Sequence, residues 1–182
     1  PKAHQLRRLW AFWLFICLGL RWSMKCETEL KKDKAYLFLP NHSSPFDVPL
    51  LAIAYPEFHK HMAKIELSKV PLFGIFFRTI DLSVDRSSKI SSYRSFQKAK
   101  EELQNGNSMV IFPEAGRFAL GAKTAAFKHT PFMLAVQSGV PVVPVTFLDN
   151  WRLFPGNGKK GGRPGQVRAI FHKPIETKDL KE

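Results

Sequence analysis

The 182-residue chain is long enough for one hydrophobic core and too short for two comfortable domains. It is 45% hydrophobic, with 16 Phe, enough to fill a core and leave apolar surface over, while two cysteines exclude a disulfide framework. Its 28 Lys and Arg against 15 Asp and Glu give a charge of +13, which favours an anionic partner: nucleic acid, a phosphorylated metabolite or a phospholipid surface.

The N-terminal stretch LRRLWAFWLFICLGLRWSMK carries an apolar run over residues 9–20, flanked by Arg7, Arg8 and Arg21. Coiled as a helix, that run spans roughly 18 Å against about 30 Å of hydrocarbon, so it cannot cross a bilayer alone. It lacks the small-residue cleavage site of a signal peptide, and Trp10, Phe12, Trp13 and Trp22 are bulky. A short apolar helix bracketed by aromatic and Arg residues suits the membrane interface, with a core helix docked on the domain as the alternative. The chain opens at Pro1 rather than Met, which suggests an upstream membrane region before it.

From about residue 34 onward, strand-like and helix-like stretches alternate. AYLFL (35–39) reads as a buried strand ending at Pro40, and DVPLLAIAY (47–55) as a short helix that Asp47 can cap, with Pro49 in its first turn. HMAKI (61–65) is a weak strand, SKVPLFGIFFR (68–78) a short apolar helix, and TIDLSV (79–84) alternates as a strand should. In ISSYRSFQKAKEELQNG, Phe96, Ala99 and Leu103 share one helix face and Gly106 supplies the stop. Strand 108–112, helix 130–139, strand 140–147, a Gly/Pro/Lys-rich loop at 153–165 and strand 166–172 complete one α/β layered domain, without repeats or a low-complexity linker.

No CxxC, HExxH, GxxxxGK[ST] or GxSxG occurs, so zinc proteases, P-loop NTPases and α/β-hydrolases lose their support. Cys17 and Cys26 read as small packing residues, and His59 and His61 lack ligand-like clustering. The chemistry-bearing residues gather where strands end. His42 and Asp47 sit in the loop after strand 35–39. On a helix, residues five apart lie about 140° round from each other, but Pro45 forces a turn that can fold Asp47 back onto the imidazole. A carboxylate on one ring nitrogen fixes the tautomer and leaves the other as a base. The bland reading, in which Asn41 and Ser43 shape a turn and Asp47 caps a helix, is equally open from spacing alone. Strand 108–112 stops at Pro113, after which Glu114, Gly116 and Arg117 form a compact loop. Parallel sheets gather functional groups at the carboxyl ends of their strands, so both clusters can open on one edge. There Arg117 can hold a phosphate and Glu114 can orient Arg117 or meet substrate, unless the two are a surface pair. Lys64, Glu66, Arg86 and Lys128 also fall at sheet-end positions.

Together these blocks resemble the glycerolipid acyltransferases, the PlsC-like 1-acylglycerol-3-phosphate acyltransferase family. The residues from Asn41 through His42 to Asp47 match its NHxxxxD block. Lys64, Glu66, Leu67, Pro71 and Gly74 match KxEL…P..G, and Val84, Asp85 and Arg86 match the arginine block. Phe112, Pro113, Glu114, Ala115, Gly116 and Arg117 resemble FPEGTR, and FK (127–128) and VPVVPV (140–145) follow in order. The tail TFLDNWRLF…GRPG is similar to the bacterial branch.

The resemblance implies a mostly parallel mixed sheet flanked by helices, preceded by an apolar N-terminal helix. Residues 1–26 would be a membrane-interface segment and 27–182 the acyltransferase domain. It implies acyl transfer from acyl-CoA or acyl carrier protein to the hydroxyl of lysophosphatidic acid, giving phosphatidic acid. His42 would be the base and Asp47 its orienter. Asn41, Lys64, Arg86, Glu114, Gly116, Arg117 and Lys128 would bind the acceptor, and Val142 and Pro144 would line the acyl site. It implies no metal, no bound cofactor and no nucleic acid, and a place on the cytoplasmic face of the inner membrane. Four positions depart from the pattern: Ala115-Gly116 stands for Gly-Thr, Ile80 for Gly, and His129 follows Lys128. Another lysolipid, such as a lyso-ornithine lipid, is the alternative acceptor. A basic nucleic-acid binder and a catalytically silent membrane protein are the rival classes.

Overall fold

The computed structural model describes residues 2–69, 74–85, 87–116, 124–156 and 161–180. In chain order the elements are α1 (Lys2–Cys17), β1 (Leu20–Cys26), β2 (Leu37–Pro40), α2 (Asp47–Ala54), β3 (His59–Lys64), a 3₁₀ turn (Ile65–Lys69) and α3 (Gly74–Thr79). There follow β4 (Leu82–Val84), α4 (Lys89–Gln104), β5 (Ser108–Val110), α5 (Thr130–Ser138), β6 (Val142–Phe147), α6 (Asn150–Leu153) and β7 (Gly165–Phe171).

The strands form one sheet in the order β1-β7-β6-β2-β5-β3-β4. Only the β6–β7 pairing is antiparallel among the described strands. β2 therefore runs in the middle of a parallel block, with Leu37 paired to Met109 on one side and Val142 on the other. Both its faces are covered, which is why the segment reads as a continuous apolar run. Phe38 points to one layer, with Tyr55 at 4.6 Å between ring centroids, and Leu37 and Leu39 point to the other, under α4 and α5.

Helix ends follow local chemistry. The Ser88 hydroxyl accepts from the Ser91 amide at the start of α4, and Gly139, at φ 64°, closes α5. Of the helix expected over 68–78, Ser68 and Lys69 end the 3₁₀ turn and 74–78 lie in α3, while 70–73, with Pro71 among them, lie outside the described residues. Strand 79–84 is shorter than its alternation suggests. The Ile80 and Asp81 amides both donate to the Phe76 carbonyl and finish α3, so pairing starts only at Leu82.

The N-terminus departs most from expectation. α1 stops at Cys17, Gly19 turns the chain at φ 63°, and Leu20–Cys26 joins the sheet edge beside β7. The helix docks through His4, Arg7, Ala11 and Phe15, all buried at helical spacing. Arg7, 1% exposed, bonds both oxygens of Asp81 at 2.9 and 3.1 Å and donates to the His59 carbonyl at 2.6 Å. Leu6, Leu9, Trp13 and Ile16 on the opposite side are exposed.

Candidate active site

Because β2 to β6 run parallel, the loops leaving them open on one sheet edge. There the turn after β2 folds Asp47 back as its sequence requires. His42 Nδ1 lies 2.8 Å from Asp47 Oδ2, and the same oxygen accepts from the Ser43 and Ser44 amides at 2.8 and 2.9 Å. Asp47 is fully buried, so it spends its carboxylate on this turn rather than capping α2, whose N-cap residue is Phe46. A carboxylate only accepts, so Nδ1 carries the proton and Nε2 is left as the basic nitrogen of the imidazole. The ring stacks on Phe112, centroids 3.9 Å apart, which fixes its plane.

Two of the residues expected to contact substrate also build this loop. The Asn41 amide donates to the Phe147 carbonyl and accepts from the Phe147 amide, tying the loop to β6. Glu114, 3% exposed, accepts from the His42 amide at 2.7 Å and from the Ala125 amide at 2.9 Å. A carboxylate held that way anchors the His42 backbone, and its charge would repel a phosphate.

His42 lines a cavity of about 680 Å³, within the usual range for small-molecule sites. Its walls are largely apolar: Trp10 and Leu14 from α1, Phe46 and Val48 around α2, and Phe77, Val84, Phe96, Phe112 and Leu134 from elsewhere. Lys64, Glu66, Gly116 and Lys128 line it too; Lys64 pairs with Glu66 at 2.7 Å, and the Lys128 amide is tied to the Pro113 carbonyl. Arg86 and Arg117 lie outside the described residues. Val142 and Pro144 are not in this wall. Val142 faces the layer under α4 and α5, and Pro144 lines a second cavity of about 350 Å³ beside Asn41 and His172. β6 is separated from the His42 cavity by β2 and its loop, so its side chains reach other layers.

His61 also lines the main cavity, fully buried beside His59, and burial first and the Arg7 charge second hold both rings well below the usual histidine range. They are neutral packing groups beside the site. Among the described residues no three His, Cys, Asp or Glu side chains gather as metal ligands.

Residue 150 was not expected in the site. Asn150, at the start of α6, donates through Nδ2 to Asp47 Oδ1 at 2.6 Å. Applying to β6 the strand-end rule that located His42 would have found it.

The family model described as Acyltransferase matches residues 23–148. The chain belongs to this acyltransferase family. It is 32% identical over 149 residues to a 1-acyl-sn-glycerol-3-phosphate acyltransferase of Chlamydomonas reinhardtii, covering 79% of this chain and 43% of the relative. It is 30% identical over 168 residues to the enzyme of that name from Saccharomyces cerevisiae, covering 91% and 55%. The crystal structure of the 1-acyl-sn-glycerophosphate acyltransferase PlsC from Thermotoga maritima superposes with a TM-score of 0.85 at 27% identity, over 98% of this chain and 71% of that one. The chain spans about half the length of the curated relatives it matches. The acyltransferase fold and its family thus agree with the motif order in the sequence.

Proposed function

We propose that this acyltransferase domain moves a fatty acyl group from a thioester donor, acyl-CoA or acyl carrier protein, to the free hydroxyl of lysophosphatidic acid. The observation that carries the reading is the His42–Asp47 pair set in the wall of a large apolar cavity. His42 Nε2 takes the acceptor's hydroxyl proton as the oxygen attacks the thioester carbonyl. The tetrahedral intermediate expels the thiolate, and His42 returns the proton to sulfur. The acceptor gains an ester and the donor leaves as free thiol. Asp47 holds the tautomer and balances the imidazolium charge, a general-base contribution of about 10²–10⁴ in rate. The apolar walls suit an acyl chain.

Lys128 and Lys64 in the same walls supply positive charge for the acceptor's phosphate, joined by Arg86 and Arg117 on the family resemblance. The exposed stripe Leu6, Leu9, Trp13 and Ile16 supports a membrane surface as the place where this happens, since α1 also contributes Trp10 and Leu14 to the cavity. The exposed stripe suits contact at the interface; among the described residues no helix is long and apolar enough to cross a membrane. On this reading residues 1–26 face lipid with one side of α1 while β1 belongs to the catalytic sheet, and the cytoplasmic leaflet is the proposed site.

An acceptor panel tests the substrate. With acyl-CoA as donor, lysophosphatidic acid, lysophosphatidylcholine and a lyso-ornithine lipid are offered singly and products read by mass spectrometry. Phosphatidic acid formed fastest supports the proposal; faster acylation of a lysolipid without a phosphomonoester overturns the acceptor and keeps the chemistry.

A further inference from the structure

We infer that Asn150 is a positioning residue for catalysis, the third member of a relay running Asn150–Asp47–His42; this rests on the acyl-transfer reading above. Asp47 Oδ2 is saturated by its own turn, with His42 and the Ser43 and Ser44 amides converging on it. Oδ1 takes its hydrogen bond from Asn150 Nδ2, at 2.6 Å, from 103 residues further along the chain. Both side chains are fully buried, so no solvent can stand in for that donor. A carboxylate whose second oxygen lacked a partner would be freer to twist out of plane about its Cβ–Cγ bond. Asn150 holds the plane of the Asp47 carboxylate from its far side, and so the direction in which Oδ2 meets Nδ1 and Nε2 presents its lone pair.

The surroundings of Asn150 are arranged to hold it there. Its neighbour Asp149 receives a two-point bond from Arg168 on β7, at 2.8 and 2.8 Å, and accepts the Arg152 and Leu153 amides through its carbonyl. Phe154 then packs on Phe46 at 4.7 Å, and the Gly156 amide donates to the Ser43 carbonyl at 2.9 Å. The segment after β6 is thereby clamped on both sides of residue 150 against the His42 turn. This orientation also has a cost: Asn150 Oδ1 is buried with no hydrogen-bond partner among the described residues. A purely structural amide would be expected to satisfy both ends, and an orphaned acceptor is tolerated where the donor has a task. Asn150 also lies just beyond the residues 23–148 matched by the family model.

The test compares wild type, Asn150→Leu and Asn150→Ala, alone and combined with Asp47→Asn. Leu keeps the volume and removes the orphaned oxygen together with the donor, leaving Asp47 Oδ1 as the one unpartnered atom, while Ala opens room for a water to bond that oxygen; a thermal melt verifies that each variant folds. Expected is a fall in kcat of about 10–100-fold for Asn150→Leu with KM for donor and acceptor unchanged within about twofold. In the Asp47→Asn background the same replacement should cost no further turnover, because its effect runs through that carboxylate. Full additivity, or a KM effect without a kcat effect, overturns the inference. An activity-independent readout separates it from the function itself. The Nδ1–H proton of His42, bonded to Asp47, should shift or broaden in the NMR spectrum of Asn150→Leu, and an unchanged resonance overturns the relay even where acylation fails altogether.

Discussion

Asp47→Asn isolates the carboxylate from the rest of the site. The amide has the same shape, but it offers one oxygen where Asp47 meets four donors: the His42 ring, the Ser43 and Ser44 amides, and Asn150. With its oxygen facing the three donors of the turn, its NH₂ group meets the Asn150 amide donor to donor. Flipping Asn150 resolves that clash, since its Oδ1 has no partner to lose. The variant should therefore fold, with a melting temperature within a few degrees of wild type. What it loses is the charge that holds the His42 tautomer and offsets the imidazolium. The corresponding change in a Ser-His-Asp site lowers kcat by about 10⁴, and general-base catalysis as a whole contributes about 10²–10⁴. At 1.36 kcal/mol per decade this is roughly 3–5 kcal/mol of transition-state stabilisation, with KM unmoved. Initial rates of thiol release, paired with lipid product by mass spectrometry, measure it. A kcat within about threefold of wild type would refute the reasoning that Asp47 serves His42.

Three further outcomes follow from the geometry. Ala115 sits at φ 59°, a left-handed conformation, where the related motif has Gly, so Ala115→Gly should stabilise the fold by about 1 kcal/mol, read as a rise of about 2–4 °C in melting temperature; a fall would mean that the loop depends on the Ala methyl. Burial holds His4 down at about 4, while in the unfolded chain it titrates near 6.5, so below about pH 6.5 the unfolded state binds the extra proton and stability falls until about pH 4. At pH 4.5 urea unfolding should show roughly 2–3 kcal/mol less stability than at pH 7 from His4 alone, and a flat profile would contradict the burial of that ring. Replacing Leu9 and Trp13 together by Lys should weaken binding to vesicles of zwitterionic lipid by about tenfold or more without changing the melt, because both side chains are already exposed; unchanged partitioning would remove α1 from the membrane contact.

How much was legible in the sequence depended on how local the cause was. β2 and α4 were plain, one from an apolar run buried on both faces and one from Phe96, Ala99 and Leu103 on a helical stripe stopped by Gly106. The His42–Asp47 contact was half legible: Pro45 forces the turn within a few residues, but spacing alone left Asp47 equally open as a helix cap. β1 was missed although Leu20, Trp22 and Met24 alternate with polar residues, because the apolar helix before it hid where Gly19 turns the chain; its partner β7 lies more than a hundred residues away. The same distance explains what the sequence left out of the site. It did not show that Asn41 and Glu114 also hold the loop through their backbone partners Phe147, His42 and Ala125. Val142 and Pro144 looked like cavity wall until the sheet order put β2 between them and His42. Asn150 could have been singled out as a polar residue at the end of β6, but nothing local in DNW says that its amide ends on Asp47.

The central claim is that His42 is the base for acyl transfer. Its most direct test runs purified wild type and His42→Ala side by side in detergent micelles with acyl-CoA and lysophosphatidic acid, following free CoA and phosphatidic acid together. The account predicts stoichiometric release of both by wild type and a loss of at least about 10² in His42→Ala with an unchanged melt. Near-equal turnover by the two proteins would contradict it.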